Sequence, residues 1–273
     1  MPMLNMPVDV VLMDGTDEPD RRRFDVGGGS LIAYTNRSPD KDTENEDTVA
    51  IIPWGPQAVV LVVADGAGGL PAGKRASLTV ASSLAQSLQV SLDKTMLLRT
   101  AVLNGIEAAN DAVRELANGS ATTLTVVTIE GKLARTYQIG DSEAMIVGQR
   151  GLIRAHTTPH SPTGFAVEAG FLDERAALYH ADRHLVSNFI GTINMTIDVG
   201  AAINLQARDT VVIASDGLTD NVHSDEIVEL IRKGPLDEAA DALIDKAVQR
   251  MAKKRRGEPC KPDDLSLLVY RKP

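Results

Sequence analysis

Apolar positions along this chain fall into two periods. Residues 58–64 and 211–214 are continuous apolar runs without alternation, the pattern of a strand buried on both faces. Residues 31–34 and 48–52 read as further strands, separated by a polar loop over 35–46. From Pro71 the spacing becomes helical, with Ala76, Val80, Leu84 and Leu88 on one face. A second helix is expected over 95–117, carried by Leu98, Ala101, Val102, Ala109 and Val113 and stopped at Asn118-Gly119. Residues 122–129 and 132–139 flank Glu130-Gly131 and predict a hairpin, and 143–147 pairs with 152–155 across a Gly-rich turn. Residues 156–194 are irregular apart from a helical patch over 166–178. Extended segments near 184–187 and 195–205 lead to a strand at 210–214. Helices over 224–233 and 236–253 and a strand over 265–271 complete the chain. Hairpin-linked strands with helices in pairs predict α+β layers in one domain over 30–273, after a loosely ordered lead-in over 1–29.

Composition narrows the function classes. The 273 residues, 43% hydrophobic, suffice for a full core. A net charge of −9 and 3% aromatic content argue against nucleic acid and anionic membrane as partners. Cys260 is the single cysteine, which excludes an intramolecular disulfide and predicts a reducing, cytoplasmic setting. No apolar stretch approaches the roughly 18 residues that a membrane span needs.

The candidate chemistry lies in four aspartates, each in a short polar turn at the end of a strand-like run: Asp65, Asp141, Asp216 and Asp263. Hard divalent cations take oxygen ligands, and carboxylates anchored at strand ends supply them on a rigid frame. A carboxylate shared by two cations would form a two-metal site that activates water and clamps phosphoryl oxygens. Gly66 lets its backbone carbonyl approach an ion, because no Cβ intervenes. The five histidines show no zinc-ligand spacing, so Mg²⁺ or Mn²⁺ is expected.

The segments Asn45-Glu46-Asp47, Val63-Ala64-Asp65-Gly66-Ala67-Gly68-Gly69, Ser120-Ala121-Thr122-Thr123, Ile139-Gly140-Asp141-Ser142, Ser215-Asp216-Gly217 and Asp263-Asp264 follow one another in an order that resembles the metal-dependent protein phosphatases of type 2C. The resemblance spans residues 30–271 and implies a four-layer αββα sandwich of two mainly antiparallel sheets flanked by helix pairs. It further implies hydrolysis of phosphoserine or phosphothreonine at a binuclear Mn²⁺ or Mg²⁺ centre, opposing a Ser/Thr kinase or acting on its target. Under it, Asp65 is the bridging ligand, with the Gly66 carbonyl beside it, and Asp216 and Asp263 complete the first ion's shell. Glu46 and Asp47 match the acidic pair that holds metal-bound waters, and Asp141 matches a ligand of a third, looser ion shared with Asp216. Asp220 matches an acidic partner, residues 156–194 match a substrate-selecting flap, and the run 120–123 is expected to pack rather than act.

Two departures bear on substrate binding. Where the family commonly grips phosphate with an arginine, the chain has Asp42, leaving Lys41 or Arg37 as substitutes, and where many members place a histidine after the Asp-Gly of the first metal turn it has Ala67; Asp264 also replaces a frequent asparagine. Three rival readings follow. Gly68 to Lys74 mimics a nucleotide-binding loop, but Arg75 stands where a Mg²⁺-binding hydroxyl is needed. Without the arginine the chain would serve as a weak or inactive phosphatase that binds phosphoproteins. Small phosphoesters are the third option, with the metal chemistry kept.

Overall fold

The computed structural model describes residues 9–39, 41–67, 72–117 and 119–273. In chain order, the first strands are β1 (Val11–Met13), β2 (Asp20–Val26), β3 (Gly29–Asn36), β4 (Asp47–Pro53) and β5 (Ala58–Asp65). Two long helices follow, α1 (Gly73–Asp93) and α2 (Leu98–Arg114), and then β6 (Leu124–Glu130), β7 (Leu133–Ile139), β8 (Glu143–Val147) and β9 (Ile153–His156). Short elements α3 (Pro162–Glu168), α4 (Glu174–Ala177), β10 (Asp198–Val199) and β11 (Ile203–Asn204) lead to β12 (Thr210–Ala214). The chain closes with α5 (Asp216–Thr219), α6 (Ser224–Ile231), α7 (Leu236–Ala252) and β13 (Leu265–Arg271).

The strands form two antiparallel sheets. The first runs β1-β4-β5-β6-β7-β10, with β11 also on β7; the second runs β2-β3-β13-β12-β8-β9. Because successive side chains of a strand point to opposite faces, the unbroken apolar run of β5 divides between two cores. Val60 and Val62 pack with Leu84 of α1 and Ile106 of α2. Leu61 and Val63 face the other sheet and meet Ile146, Ile213 and Leu268. A third core joins the second sheet to α6 and α7 through Ile32, Val212, Ile231, Leu243 and Val269. Three apolar interfaces make four layers, αββα. Each fully buried aliphatic side chain contributes about 1.5–3 kcal/mol.

The structure departs from expectation in three places. Residues 11–26 are not a loose lead-in: β1 pairs with β4 and β2 pairs with β3. The charge of Arg21, Arg22 and Arg23 hides β2 in the sequence. It is an edge strand whose Arg21 and Arg23 reach Asp237 on α7, as edge strands commonly carry charge. Residues 184–187, expected to be extended, contain no strand. The 166–178 patch divides into α3 and α4. Expectations placed on Gly68, Gly69, Pro71 and Asn118, including most of the nucleotide-loop mimic, lie outside the described residues. Lys74, that mimic's lysine, faces Glu44 at 3.6 Å.

Candidate metal centre

The antiparallel register carries every candidate carboxylate to one end of the two sheets. Asp47 opens β4 directly opposite Asp65, which closes β5. In the second sheet, the end of β12 lies beside the starts of β8 and β13, which places Asp216 near the turns holding Asp141 and Asp263.

Asp65 is fixed through its backbone. Its amide donates to Thr123 Oγ1 at 3.0 Å, and its carbonyl accepts from Thr122 Oγ1 at 2.7 Å and from the Thr123 amide at 2.8 Å. Thr122 and Thr123 therefore set the ligand turn, a role beyond the packing expected of them. Gly66 passes so close under α1 that a Cβ would lie 2.3 Å from the Gly73 carbonyl carbon; a Cβ on Gly73 would lie 2.4 Å from Glu46 Oε1. Gly66 must be glycine, because its neighbours there are backbone atoms, and a Cβ on Gly73 would displace the Glu46 carboxylate.

Asp47 is fully buried, and Ser215 Oγ donates to its Oδ2 at 2.9 Å. Ser215 in turn accepts from the Ser266 amide at 3.0 Å, tying the Asp216 turn to β13. Asp141 follows Gly140, whose φ of +96° suits glycine and whose carbonyl accepts from the buried His160 amide at 2.9 Å. His160 thus ties the 156–194 segment to the Asp141 turn and is no ligand itself.

Burial first, and mutual repulsion second, push these carboxyls above the usual carboxylate range. Asp65 is raised by burial and by the charges of Asp47, Asp216, Asp263 and Asp141. Asp47 is raised by burial and Asp264, and Asp141 by burial and Asp216. Burial and Asp216 together push Asp263 up to about 7 and Asp220 up to about 6. Acids arranged this way hold strain that a cation relieves.

Two lysines enter the cluster. Lys41 Nζ lies 2.7 Å from Glu46 Oε2 and 2.7 Å from Asp264 Oδ2, so it answers the aspartate at 264. The Asp264 carboxylate also accepts from the Ser38 and Glu46 amides at 2.8 Å each. Arg37 pairs with Asp17 at 3.5 Å. Of the two substitutes for the phosphate arginine, Lys41 is therefore held by Glu46 and Asp264, whereas Arg37 has a partly exposed ion pair of the kind worth about 0–1 kcal/mol. Lys261, which sequence reasoning passed over, lies 2.5 Å from Asp216, 2.7 Å from Asp220 and 3.2 Å from Asp263.

The site opens into a cavity of about 320 Å³ between α3, α4 and α6. Asp141, Asp216 and Asp220 line it together with Arg183, Val167, Leu178 and His156. Arg183 is close enough to Asp220 to oppose the rise of its pKa. On the wall, His156 meets Glu143 at 2.6 Å.

The donor set fits hard divalent ions. Asp47 Oδ1 and Asp216 Oδ1 are buried without any hydrogen-bond partner, and such orphaned acceptors are rare unless an ion or water completes them. Among the described residues, no three acidic, histidine or cysteine side chains already surround one point; Asp216, Asp220 and Asp263 gather about Lys261 instead.

The family model described as Protein phosphatase 2C matches residues 38–259. A serine/threonine phosphatase, stp, of Listeria monocytogenes is 27% identical over 217 residues, covering 74% of this chain and 84% of its own length. The protein phosphatase PhpP of Streptococcus pneumoniae is 28% identical over 217 residues, with 75% and 85% covered. Among solved structures, the S. agalactiae serine/threonine phosphatase superposes with a TM-score of 0.74 at 26% identity, covering 89% of this chain and 99% of that one. The catalytic domain of PstP, solved in complex with two manganese ions, shares the fold with a TM-score of 0.68 at 23% identity, covering 96% of this chain and 99% of that one.

Proposed function

The chain belongs to the protein phosphatase 2C family, and on that premise we propose that it hydrolyses phosphoserine and phosphothreonine in proteins, using a water activated at a pair of Mn²⁺ or Mg²⁺ ions. The observation that carries this reading is the pair of orphaned, buried carboxylate oxygens on Asp47 and Asp216 within a cluster of hard oxygen donors. When bound, two such ions supply a water of lowered pKa and Lewis acidity toward the phosphoryl oxygens. Asp65, the Gly66 carbonyl, Asp216 and Asp263 would hold them, with Glu46 and Asp47 orienting their waters and Asp141 completing the rim.

The chain's own residues set how substrate arrives. Lys41 is held by Glu46 and Asp264, and Arg183, which lines the cavity, is the arginine placed to meet a phosphate there. Apolar Val167 and Leu178 would cover the adjacent peptide and exclude water. The segment 156–194 acts as the flap of one catalytic unit that includes β1 and β2. No helix among the described residues is long and apolar enough to cross a membrane. With a single cysteine, we place the enzyme in the cytoplasm, opposite a Ser/Thr kinase.

The test is phosphate release from a phosphothreonine peptide with Mn²⁺, comparing wild type with Asp65→Asn. Turnover that stops with EDTA and falls by at least ~10³-fold in the variant supports the reading. Turnover indifferent to both overturns it. Peptide binding without turnover under any metal would favour the inactive phosphoprotein-binding alternative.

A further inference from the structure

Lys261 is built into the acidic cluster rather than leaning on it. Asn221, fully buried, bonds the Lys261 backbone twice: the Lys261 amide donates to Asn221 Oδ1 at 2.8 Å, and its carbonyl accepts from Asn221 Nδ2 at 2.8 Å. Asn221 Nδ2 also donates to the Gly217 carbonyl at 2.9 Å, and the Asn221 carbonyl accepts from buried Arg250 at 2.7 Å. Pro262 follows directly and restricts the backbone before Asp263. The lysine stem therefore starts from a fixed point, and its ammonium makes its two shortest contacts with Asp216 and Asp220. Asp263 is the most distant of the three.

Resting on the metal-centre reading above, we propose that Lys261 is the resident cation of the Asp141–Asp216–Asp220 end, standing where a further divalent ion would otherwise bind. An ammonium is a compact point charge, and here it donates to Asp216 Oδ2 and lies within ion-pair distance of Asp220 and Asp263. An ion could not take Asp216 Oδ2 together with Asp220 Oδ2 without expelling it, whereas Asp216 Oδ1, which has no hydrogen-bond partner, is left for the two-ion centre. Charge balance runs the same way. Asp47, Asp65, Asp141, Asp216, Asp220 and Asp263 bring six potential negative charges, and two divalent ions offset four. Lys261 offsets a fifth without a metal. The chain thereby keeps a two-ion centre whose outer cation is covalent and cannot be lost to dilution.

The test is the Mn²⁺ stoichiometry of the metal-stripped full chain, read by calorimetry and by the loss of the free Mn²⁺ electron paramagnetic signal. Wild type and Lys261→Arg are expected to bind two ions per chain, and Lys261→Met three. Adding Asp220→Asn to Lys261→Met should return the count to two. Three ions in wild type, or two in Lys261→Met, overturns the proposal; Lys261→Gln, which also removes the charge, is expected to bind three and carries the same decision if the Met variant fails to fold. No Mn²⁺ bound by any of these proteins would instead sink the metal-centre reading itself.

Discussion

The side-chain amide of Asn221 grips the backbone of Lys261 at both its N–H and its C=O, each at 2.8 Å. Forty residues of chain separate the pair, yet this contact fixes the loop between α7 and β13 that delivers Asp263. Asn221→Ala would leave a buried N–H and two carbonyls without their partner, at about 1–3 kcal/mol for such a group. Urea unfolding should show a loss of about 2–3 kcal/mol, and Mn²⁺ affinity should weaken along with it. Unchanged stability would mean that water replaces the amide and the loop is held elsewhere.

Below Asn221, Arg250 binds Glu226 through two bonds of 2.7 Å each. Burial alone would raise the Glu226 carboxyl, but the Arg250 and Lys246 hydrogen bonds outweigh it and lower the pKa from 4.5 to about 2. A depressed carboxyl stabilises the fold above its unfolded pKa. That contribution is lost as pH falls from about 4.5 through about 2. After solvent screening it amounts to roughly 1–2 kcal/mol. Wild type should therefore lose that much more stability than Glu226→Gln between pH 6 and pH 2.5. Parallel acid profiles would contradict the assignment.

Gly217 lies where the Asp216 turn crosses the start of β13, and a Cβ there would stand 1.9 Å from the Asp264 carbonyl oxygen. Both elements carry ligands and neither can retreat freely. Gly217→Ala should cost about 3 kcal/mol or more in a thermal melt and abolish Mn²⁺ binding. A well-folded variant that still binds Mn²⁺ would show that the crossing yields.

Lys41 and Arg183 should separate cleanly. Lys41 pairs Glu46 and Asp264, both largely buried, so Lys41→Met should destabilise the protein by about 3 kcal/mol, the cost of leaving a buried charge unpaired. Arg183, in the cavity wall, should act on substrate: Arg183→Ala should raise KM for a phosphopeptide ~10-fold with kcat changed little. The reverse pattern would restore Lys41 as the phosphate contact.

Much of this site was legible in the sequence because its acids sit at strand ends, where apolar runs advertise the turn. Asp65, Asp141, Asp216 and Asp263 all follow that rule, and the structure brings them to one end of the sheets. The helix pairs were legible from their period, and β5 and β12 from continuous apolar runs. What stayed hidden depends on pairing across distance. Lys261 stands 45 residues from Asp216, and no local period marks it as a partner. Thr122 and Thr123 act through backbone bonds to Asp65 that no composition signals. The strand β2 was masked because its three arginines find their acids on α7 and on β2 itself.

The most direct measurement is the anomalous difference map of a crystal of the protein soaked in Mn²⁺. Two strong peaks about 4 Å apart, with an Asp65 oxygen between them, are the expected result. Peaks remote from Asp65, or none at saturating Mn²⁺, would contradict the account.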